Sequence, residues 1–298
     1  MNDNSLLKEL TIIIPAFNEG KNIKKFLEVI KGKYRYSDII VIEDGSNDNT
    51  FEEISRVEGV TCIRHQINLG YGASIKNGVR AAKTRVVCWV DADGQHDPDD
   101  IIKVALPVLR KEVFACFGVR SKSRTQQLER IPGKYILSVI SNHISGMKIP
   151  DINCGLRAFD RKVLARYLHL LPNKFSASLT TTLLLIKRGY NIQWVEIDNT
   201  PRIGTSSVKI VRDGINTLTI IFRIMILFAA LRFFSYFSLL LGIAGLYWSG
   251  YTQFVIGKGI SATGVGLLIL AVLVFLLGVL LDQVAEMRKE RFEIPESD

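Results

Sequence analysis

Short apolar runs recur along the first two thirds of the chain and predict buried strands at residues 11–14, 39–42, 60–64, 85–90 and 113–119. The segments between them carry apolar residues at helical spacing, as at Ile23, Phe26, Leu27 and Ile30. Helices are likewise predicted over residues 49–57 and 72–82, and from Pro98 onward. Strands that are apolar throughout belong to parallel sheets covered by helices on both faces. The pattern therefore predicts an α/β domain with a mostly parallel sheet.

Two prolines and two amphipathic segments refine this prediction. Pro15 is expected to end the first strand, and Pro107 to kink or end the helix that Pro98 opens. Residues 135–147 and 208–228 alternate polar and apolar positions at helical spacing, which suits helices that lie in a membrane interface. For residues 135–147, packing against the sheet is an equal alternative.

The last quarter of the chain differs in composition, because residues 233–256 and 262–281 contain no charged residue. Roughly 20 helical residues cross a bilayer, so the two runs predict a transmembrane hairpin rather than two buried core helices. Basic residues flank the outer ends of this hairpin at Arg223, Arg232, Arg288, Lys289 and Arg291, whereas the loop has only Lys258. By the positive-inside rule, both termini and the N-terminal domain then face the cytoplasm from the cell membrane.

The predicted organisation has four parts: an α/β domain over 1–207, an amphipathic juxtamembrane region over 208–231, two transmembrane helices within 232–284 and a tail over 285–298. The polar start of the chain predicts no secretory leader. No CxxC pair is present, so free thiols of a reducing compartment are expected at Cys62, Cys88, Cys116 and Cys154. Close helix packing, within the hairpin or in a homo-oligomer, is favoured by Gly242, Gly245, Gly264 and Gly266.

Negative charge is concentrated at the ends of predicted strands, although the chain has a formal net charge of +9. Residues 15–19, 43–46 and 91–93 follow the first, second and fourth strands, and parallel sheets bind ligands at such ends. The stretch VDADGQHDPDD, residues 90–100, holds five aspartates. The oxygen ligands that Mg2+ or Mn2+ prefers are offered by Asp91, Asp93 and Gln95. The other three aspartates, Asp97, Asp99 and Asp100, suit the N-terminus of the next helix, where negative charge is favourable.

Several nucleotide-binding and hydrolytic motifs are absent from the sequence. Residues 68–72 place two glycines before a helix, but Ile75 replaces the third glycine of GxGxxG, and neither GxxxxGK[ST] nor GxSxG occurs. Asp44 has two interpretations, as a turn residue beside a helix cap at Ser46 or Asp48, or as a contact to a nucleotide base or ribose. The histidines form no metal-ligand pair and are interpreted as structural or surface residues: His65, His96, His143 and His169.

Four segments in order, IPAFNE (14–19), EDGS (43–46), NLGYG (68–72) and DADGQH (91–96), resemble the family 2 glycosyltransferases of GT-A fold. Within that family, DINCGLRAF (151–159) and RIGTS (202–206) are similar to segments of the branch that contains dolichol-phosphate mannose synthases and bacterial polyprenyl-phosphate glycosyltransferases. The match runs from about residue 11 to residue 209, and the C-terminal hairpin also fits this branch.

The resemblance implies a Rossmann-like GT-A domain, a divalent cation, Mg2+ or Mn2+, and a set of site residues. The nucleotide-sugar would be bound by Pro15, Phe17, Glu19, Asp44, Asn68, Gly70, Asp91, Ala92 and Asp93. The metal on its diphosphate would be held by Asp91, Asp93 and Gln95. The acceptor phosphate would be contacted by Arg120, Arg130, Lys134, Arg202 and Lys209, where Lys134 replaces a commoner Arg. The residues implied in catalysis are Asp91, Asp93, Arg120, Lys134 and Arg202.

The implied activity is that of a membrane-bound, inverting hexosyltransferase. It would move a sugar from a nucleotide diphosphate-sugar to a polyprenyl phosphate, undecaprenyl or dolichyl, at the cytoplasmic face. Residues 175–182 contain no acid where some relatives carry a Glu. A sugar hydroxyl acceptor needs a general base, whereas a phosphate is already ionised near neutral pH. The missing acid therefore favours the lipid phosphate, and it assigns the hydroxyl-rich segment to contacts with sugar or phosphate.

Two other functions fit the same residues. One is a glycosyltransferase with another lipid or a glycan as acceptor, although residues 126–131 lack the aromatic of a QxxRW-type motif. The other is a non-catalytic membrane scaffold that binds nucleotide, against which the intact Asp91, Asp93 and Gln95 argue. Nucleic acid is not an expected partner.

Overall fold

In the computed structural model, a mixed β-sheet forms the centre of the N-terminal part of the chain. The structure describes residues 3–120, 132–152, 154–174, 177–198, 210–257, 259 and 261–290. Within these residues, seven strands form one sheet in the order β3-β2-β1-β4-β6-β5-β7. The strands are β1 (Leu10–Ala16), β2 (Asp38–Glu43), β3 (Thr61–Arg64), β4 (Val86–Trp89), β5 (Ala115–Arg120), β6 (Arg157–Asp160) and β7 (Ile192–Ile197).

Helices alternate with these strands along the chain and then continue alone to its end. In the first part they are α1 (Asp3–Leu7), α2 (Ile23–Lys33), α3 (Thr50–Ser55), α4 (Tyr71–Ala81), α5 (Pro98–Leu109), α6 (Pro132–Ser145), α7 (Arg161–Arg166) and α8 (Ala177–Lys187). A 3-10 turn, Leu168–Leu170, follows α7. The two long C-terminal helices are α9 (Ile210–Phe254) and α10 (Ala262–Glu290).

The pairing confirms the predicted mostly parallel sheet and adds two strands that the sequence pattern did not reveal. β1 lies parallel to β2 and β4, β2 to β3, and β5 to β7. β6 runs antiparallel to both of its neighbours, β4 and β5. β6 has only four residues, and β7 is an edge strand with mostly half-buried residues, so neither forms a long apolar run.

Helices cover both faces of the sheet, as predicted. Ile12 and Ile14 of β1 pack on one face with the apolar stripe of α2, which includes Leu27. Ile13 points to the opposite face and packs with residues of α4 such as Val79. Because consecutive strand residues point to opposite faces, a strand between two helical layers must be apolar at every position.

The two prolines differ in part from the prediction. Pro15 does not end β1 but pairs with Ile42 of β2, and the strand continues to Ala16. Proline has no N–H, and at position 15 this group would point towards β4. The pairing between β1 and β4 has already ended at that point, with the bond from the Val90 N–H to the Ile13 carbonyl, so no hydrogen bond is lost. Pro107 was expected to kink or end the helix, but it lies inside α5, which ends two residues later at Leu109.

Helix α6 has two different faces, so neither of its two predicted roles describes it fully. Leu137, Ser141 and Ile144 are buried against the rest of the domain. Tyr135, Ile136 and Val139 are exposed, the first at 58% of its surface. The helix therefore packs on the domain through one face and leaves a second apolar face uncovered.

In the C-terminal unit, which begins at Leu218, the described residues form a helical hairpin. The segments Thr219–Phe254 and Ala262–Arg288 are long and apolar enough to cross a membrane by length and composition. Helix α9 covers most of the predicted juxtamembrane region as well as the first span, and it is bent at Ala229, whose φ of −154° is not helical. The Leu231 N–H, just after this bend, donates to Asp282 Oδ1 of α10 at 3.5 Å.

Small residues bring the two helices of the hairpin into contact. A Cβ on Gly264 would lie 2.0 Å from Ser249 Oγ, and one on Gly245 would lie 3.1 Å from the Gly264 carbonyl oxygen. Ser238 Oγ donates to the Ala271 carbonyl at 2.7 Å. Gly245 and Gly264 therefore pack the hairpin on itself, which is one of the two roles that the sequence left open.

Candidate functional site

The acidic segments converge at one edge of the sheet, because β2, β1 and β4 are adjacent and parallel. Ala16, the last residue of β1, lies opposite Glu43, the last residue of β2. Asp91 and Asp93 follow β4 at the same edge. The expected meeting of three strand ends is therefore present, at the position where open α/β sheets bind ligands.

The loops after β1 and β2 are tied together by reciprocal hydrogen bonds between side chains and backbone. The Asn18 N–H donates to Ser46 Oγ at 3.0 Å, and the Asn47 N–H donates back to Asn18 Oδ1 at 2.9 Å. Asn18 adopts a left-handed φ of 57°, which Asn tolerates better than most residues. The Glu19 N–H donates to Thr50 Oγ1 at 2.9 Å. The two loops thus form one unit beside the exposed ring of Phe17.

Asp48 strengthens the same unit. Its carboxylate accepts from the Gly20 N–H at 3.1 Å and from the Thr50 N–H at 3.0 Å. Desolvation opposes the charge, but these donors and the Thr50 hydroxyl outweigh it, so the pKa of Asp48 lies below its ordinary value. A Cβ on Gly20 would meet Asn49 Oδ1 at 2.1 Å, so a larger residue here would require the Asn49 side chain to move.

Asp44 organises the loop that leads into α4. Its buried carboxylate accepts from the Leu69 N–H at 2.9 Å and from the Gly70 N–H at 2.8 Å, and it contacts His65 Nδ1 at 2.7 Å. Asn77 Nδ2 lies 2.9 Å from the other ring nitrogen of His65. Gly70 has a φ of 97°, which favours glycine, and a Cβ there would lie 2.7 Å from the Asn173 carbonyl oxygen. The carboxylate predicted to contact nucleotide thus also holds Gly70, while Asn68 is exposed beside it.

Asp91 and Asp93 stand in different surroundings. Asp91 Oδ1 accepts from the Tyr71 hydroxyl at 2.9 Å, and Asp91 Oδ2 lies 3.9 Å from His96 Nε2. Desolvation raises the pKa of the Asp91 carboxyl; His96 opposes this shift and Asp93 adds to it. Asp93 Oδ1 accepts from the Gln95 N–H at 3.1 Å, and Ala92 between the two aspartates is buried.

The chemistry of this cluster fits a hard divalent cation. The carboxylates of Asp91 and Asp93 lie close enough that the negative charge of Asp93 disfavours ionisation of Asp91. A bound dication would remove this repulsion. With the amide oxygen of Gln95, the two carboxylates would offer three oxygen ligands and leave positions for phosphate oxygens. Among the described residues, no group of three or more His, Cys, Asp and Glu side chains is arranged for metal binding.

The remaining aspartates of the stretch serve α5, as predicted. Asp97 is its N-cap, and Asp97 Oδ1 accepts from the Asp99 N–H at 2.8 Å. Pro98 follows in the first turn, together with Asp99 and the buried Asp100. Acidic residues in this position interact favourably with the positive end of the helix dipole.

Arg120, the predicted acceptor-phosphate residue at the end of β5, is paired with Asp151. Its Nε and Nη2 donate to the two carboxylate oxygens at 2.7 and 2.8 Å. Burial disfavours the charge of Arg120, but Asp151 outweighs this effect and raises its pKa. Arg130, Arg202 and Lys209, together with the side chain of Lys134, lie outside the described parts of the structure.

Sequence reasoning missed the role of Arg157, a fully buried cation on β6. It donates to the carbonyls of Ile152, Cys154 and Ser178 at 2.7–2.9 Å and lies 4.6 Å from the ring centre of Phe117. Burial lowers its pKa. Its place in the DINCGLRAF segment was the available signal, but a pattern of residue types does not reveal which carbonyls an arginine will bind.

In the hydroxyl-rich helix α8, two of the threonines expected to contact sugar or phosphate bind groups within the protein. Thr182 Oγ1 donates to the Ser178 carbonyl and accepts from Arg157 Nη1 at 2.6 Å. Thr181 Oγ1 donates to the carbonyls of Ala177 and Ser178. Both threonines are buried, so these hydroxyls stabilise the helix and its contact with Arg157.

A fold of this topology with an acidic edge is that of GT-A transferases. A solved structure of Mycobacterium tuberculosis glucosyl-3-phosphoglycerate synthase in complex with Mn2+, UDP-glucose and phosphoglyceric acid shares it, with a TM-score of 0.58 and 17% identity over 74% of this chain and 84% of that chain. At this identity the likeness concerns the fold. Residues 11–168 match the model of glycosyl transferase family 2, and residues 231–287 match the model described as the GtrB C-terminal hairpin.

The chain belongs to glycosyl transferase family 2. It is 30% identical to UDP-N-acetylglucosamine–dolichyl-phosphate N-acetylglucosaminyltransferase of Methanococcus voltae over 61% of this chain and 81% of that protein. It is 24% identical to dodecaprenyl-phosphate galacturonate synthase of Rhizobium johnstonii over 55% of this chain and 51% of that protein. The family match and the apolar hairpin together mark this chain as a membrane-bound glycosyltransferase.

The bonds of Asp44 lead to a prediction for Asp44→Asn. The amide keeps the shape but replaces one acceptor oxygen by a donor, which then faces backbone N–H groups. Because a hydrogen bond to a charged group contributes about 1.5–3 kcal/mol, we expect lower stability and faster hydrogen exchange at the amides of Leu69 and Gly70. Asp38→Asn, at an exposed position on β2, is the matched control. Equal exchange in the two variants would contradict the proposed role of Asp44 in holding this loop.

Proposed function

We propose that this protein transfers a sugar from a nucleotide diphosphate-sugar to a polyprenyl phosphate. The observation that carries this proposal is the combination, in one chain, of a family 2 domain with the acidic edge and the apolar hairpin. The relatives described above act, by their names, on dolichyl and dodecaprenyl phosphates. A long-chain lipid acceptor is dissolved in the membrane, so an enzyme anchored there meets it without extracting it.

The nucleotide-sugar donor would bind at the ends of β1, β2 and β4 and at the hydrogen-bonded loops that follow them. Phe17 is 41% exposed at the end of β1, where its ring is available to a nucleotide base. The proposal assigns the nucleotide-sugar to Pro15, Phe17, Glu19, Asp44, Asn68, Gly70, Asp91, Ala92 and Asp93. The interlocked loops support this assignment, because a rigid site loses less conformational entropy when it binds a ligand.

Asp91, Asp93 and Gln95 would hold Mg2+ or Mn2+ on the donor diphosphate. A divalent cation supplies charge neutralisation to the departing diphosphate. Asp91 and Asp93 fix where the diphosphate lies, and the buried strand β4 fixes Asp91. The raised pKa of Asp91 supports this assignment, because it indicates a carboxylate whose charge is incompletely compensated by the protein alone.

The acceptor phosphate would approach the donor from the side of Arg120, with Arg130, Lys134, Arg202 and Lys209 as further cationic contacts. Its ionised oxygen forms a bond to the anomeric carbon while the bond to the nucleoside diphosphate breaks on the opposite face, which inverts the configuration. A phosphate monoester needs no general base for this step. The absence of an acid from residues 175–182 of the sequence supports such an acceptor.

Two alternative functions differ from this proposal, one in its acceptor and the other in having no transfer activity. A transferase with another lipid or a glycan acceptor would keep the same donor site. A non-catalytic scaffold would bind nucleotide without transfer, but it would have no need for the paired carboxylates beside Gln95. The lipid-phosphate assignment is favoured because the basic flanks at Arg223 and Arg232 attract anionic groups to the membrane surface.

Transfer to a polyprenyl phosphate is testable with the purified full chain in detergent. We expect a lipid-linked sugar to form from one member of a panel of labelled UDP-, GDP- and CDP-sugars when undecaprenyl or dolichyl phosphate and Mg2+ are supplied. Proton NMR of the product should show an inverted anomeric configuration. If the same donor is consumed only with diacylglycerol or a glycan, the acceptor assignment is wrong; nucleotide binding without any transfer would indicate the scaffold.

The acidic stretch offers a matched pair of variants for the metal. We expect Asp93→Ala to abolish transfer and leave unfolding near that of the unaltered protein, because Asp93 is assigned to the cation and not to the core. Asp97→Ala should keep transfer and lose about 1 kcal/mol of stability, since it removes a helix cap. Transfer rates and denaturant unfolding measure both effects. Full activity in Asp93→Ala would exclude its role at the metal.

We propose further that both termini and the catalytic domain face the cytoplasm. In intact cells, a membrane-impermeant maleimide should label Lys258→Cys, in the loop between the spans, from outside. Ser297→Cys, in the tail, should react only after lysis. The reverse labelling pattern would contradict the orientation that the basic flanks predict.

A further inference from the structure

Asp91 is contacted by groups from three separate parts of the domain. It follows β4, and the preceding residue, Val90, is fully buried. Around its carboxylate lie the first residue of α4, the loop before β6 and the loop before α5, represented by Tyr71, Gly155 and His96. Tyr71 and Gly155 are distant from Asp91 in sequence, whereas His96 belongs to the same loop as Asp91.

Tyr71 contributes a directed hydrogen bond. Its hydroxyl lies 2.9 Å from Asp91 Oδ1, and an ionised carboxylate only accepts, so the tyrosine donates. The ring of Tyr71 packs against the core beside α4. Gly70, immediately before it, is bound by Asp44 through its N–H at 2.8 Å. The position of the Tyr71 hydroxyl is therefore fixed through both the backbone and the ring of this residue.

Gly155 closes a second side. A Cβ at this position would lie 1.9 Å from Asp91 Oδ2, so the carboxylate occupies space that any other residue would fill. The neighbouring carbonyl of Cys154 is held by Arg157 at 2.8 Å. The loop that forms this wall is thus tied to the core by the buried arginine.

His96 faces the carboxylate from the third side. Its side chain is 4% exposed, and Nε2 lies 3.9 Å from Asp91 Oδ2. The other ring nitrogen, Nδ1, is buried and has no hydrogen-bond partner among the described residues. At 3.9 Å the contact of Nε2 with Asp91 Oδ2 is longer than a hydrogen bond, so the ring faces the carboxylate at ion-pair distance.

We propose that Tyr71 and His96 are positioning residues that hold the Asp91 carboxylate in the orientation required for the divalent cation. The inference rests on the proposed metal site. Neither side chain is assigned as a ligand; both act on the cation through Asp91. Partners of this kind typically change metal affinity or activity by about 10- to 100-fold when they are removed.

The first test uses Tyr71→Phe, which removes one oxygen atom and keeps the ring. Mn2+ binding to the full chain in detergent is measured by electron paramagnetic resonance, with and without the nucleoside diphosphate of the donor. We expect Mn2+ binding to weaken by about 10-fold or more, while thermal unfolding changes little. Tyr167→Phe is the matched control, because Tyr167 is a buried tyrosine outside the site and its hydroxyl lies 3.2 Å from that of Tyr190.

The second test separates a positioning role of His96 from metal ligation. His96→Gln retains a nitrogen donor at a similar reach, whereas His96→Leu fills the space without one. We expect Mn2+ affinity within about threefold of the unaltered protein for Gln and about 10-fold weaker for Leu. Pulsed resonance of bound Mn2+ should show no directly coordinated nitrogen.

The outcomes distinguish this inference from the proposed function on which it rests. If the unaltered protein binds no Mn2+ even with nucleotide, the metal site itself is wrong. If it binds Mn2+ and Tyr71→Phe binds it equally well, the metal site stands and the positioning role of Tyr71 is refuted. A nitrogen coupling from His96 would make it a ligand and refute its positioning role.

Discussion

The site depends on holding carboxylates together at the end of a buried strand. Like charges at such a place repel and lose hydration, so they persist only where donors or a cation compensate them. For Asp44, the protein itself supplies three contacts, from two backbone N–H groups and His65. For Asp91, it supplies Tyr71 and the more distant His96, and its pKa remains raised. Asp44 therefore holds the loop before α4, whereas Asp91 is the carboxylate that we propose to bind the cation.

The same constraint explains why the surrounding loops are so interdependent. Asn18, Ser46 and Asp48 join the loops after β1 and β2, and Asp44 joins β2 to the start of α4. Arg157 in turn fixes the loop that lies against Asp91. Asp44 and Asp91 are thus supported by groups from other strand ends, which favours a preformed site over one assembled on binding.

Much of the architecture was predictable from the sequence, because buried parallel strands and amphipathic helices leave periodic patterns. The acidic strand ends were predictable for the same reason, since topology brings the ends of β1, β2 and β4 to one edge. The short strand β6 was not, because it has only two apolar residues between a charged residue at each end. The continuation of β1 through Pro15 depended on where the β4 ladder stops. The partners of Asp44, Arg157 and the α8 threonines were also hidden, since hydrogen-bond partners distant in sequence follow from the folded geometry alone.

The most direct test of the central claim is nucleotide binding in the presence and absence of a divalent cation. Isothermal titration of the full chain in detergent with UDP, GDP and CDP should identify one nucleotide that binds with Mn2+ and loses most of its affinity when EDTA removes the metal. The same nucleotide should bind Asp93→Ala weakly under both conditions. Binding that is equally tight with Mn2+ and with EDTA would contradict the account, because Asp91 and Asp93 would then have no cation to share with the diphosphate.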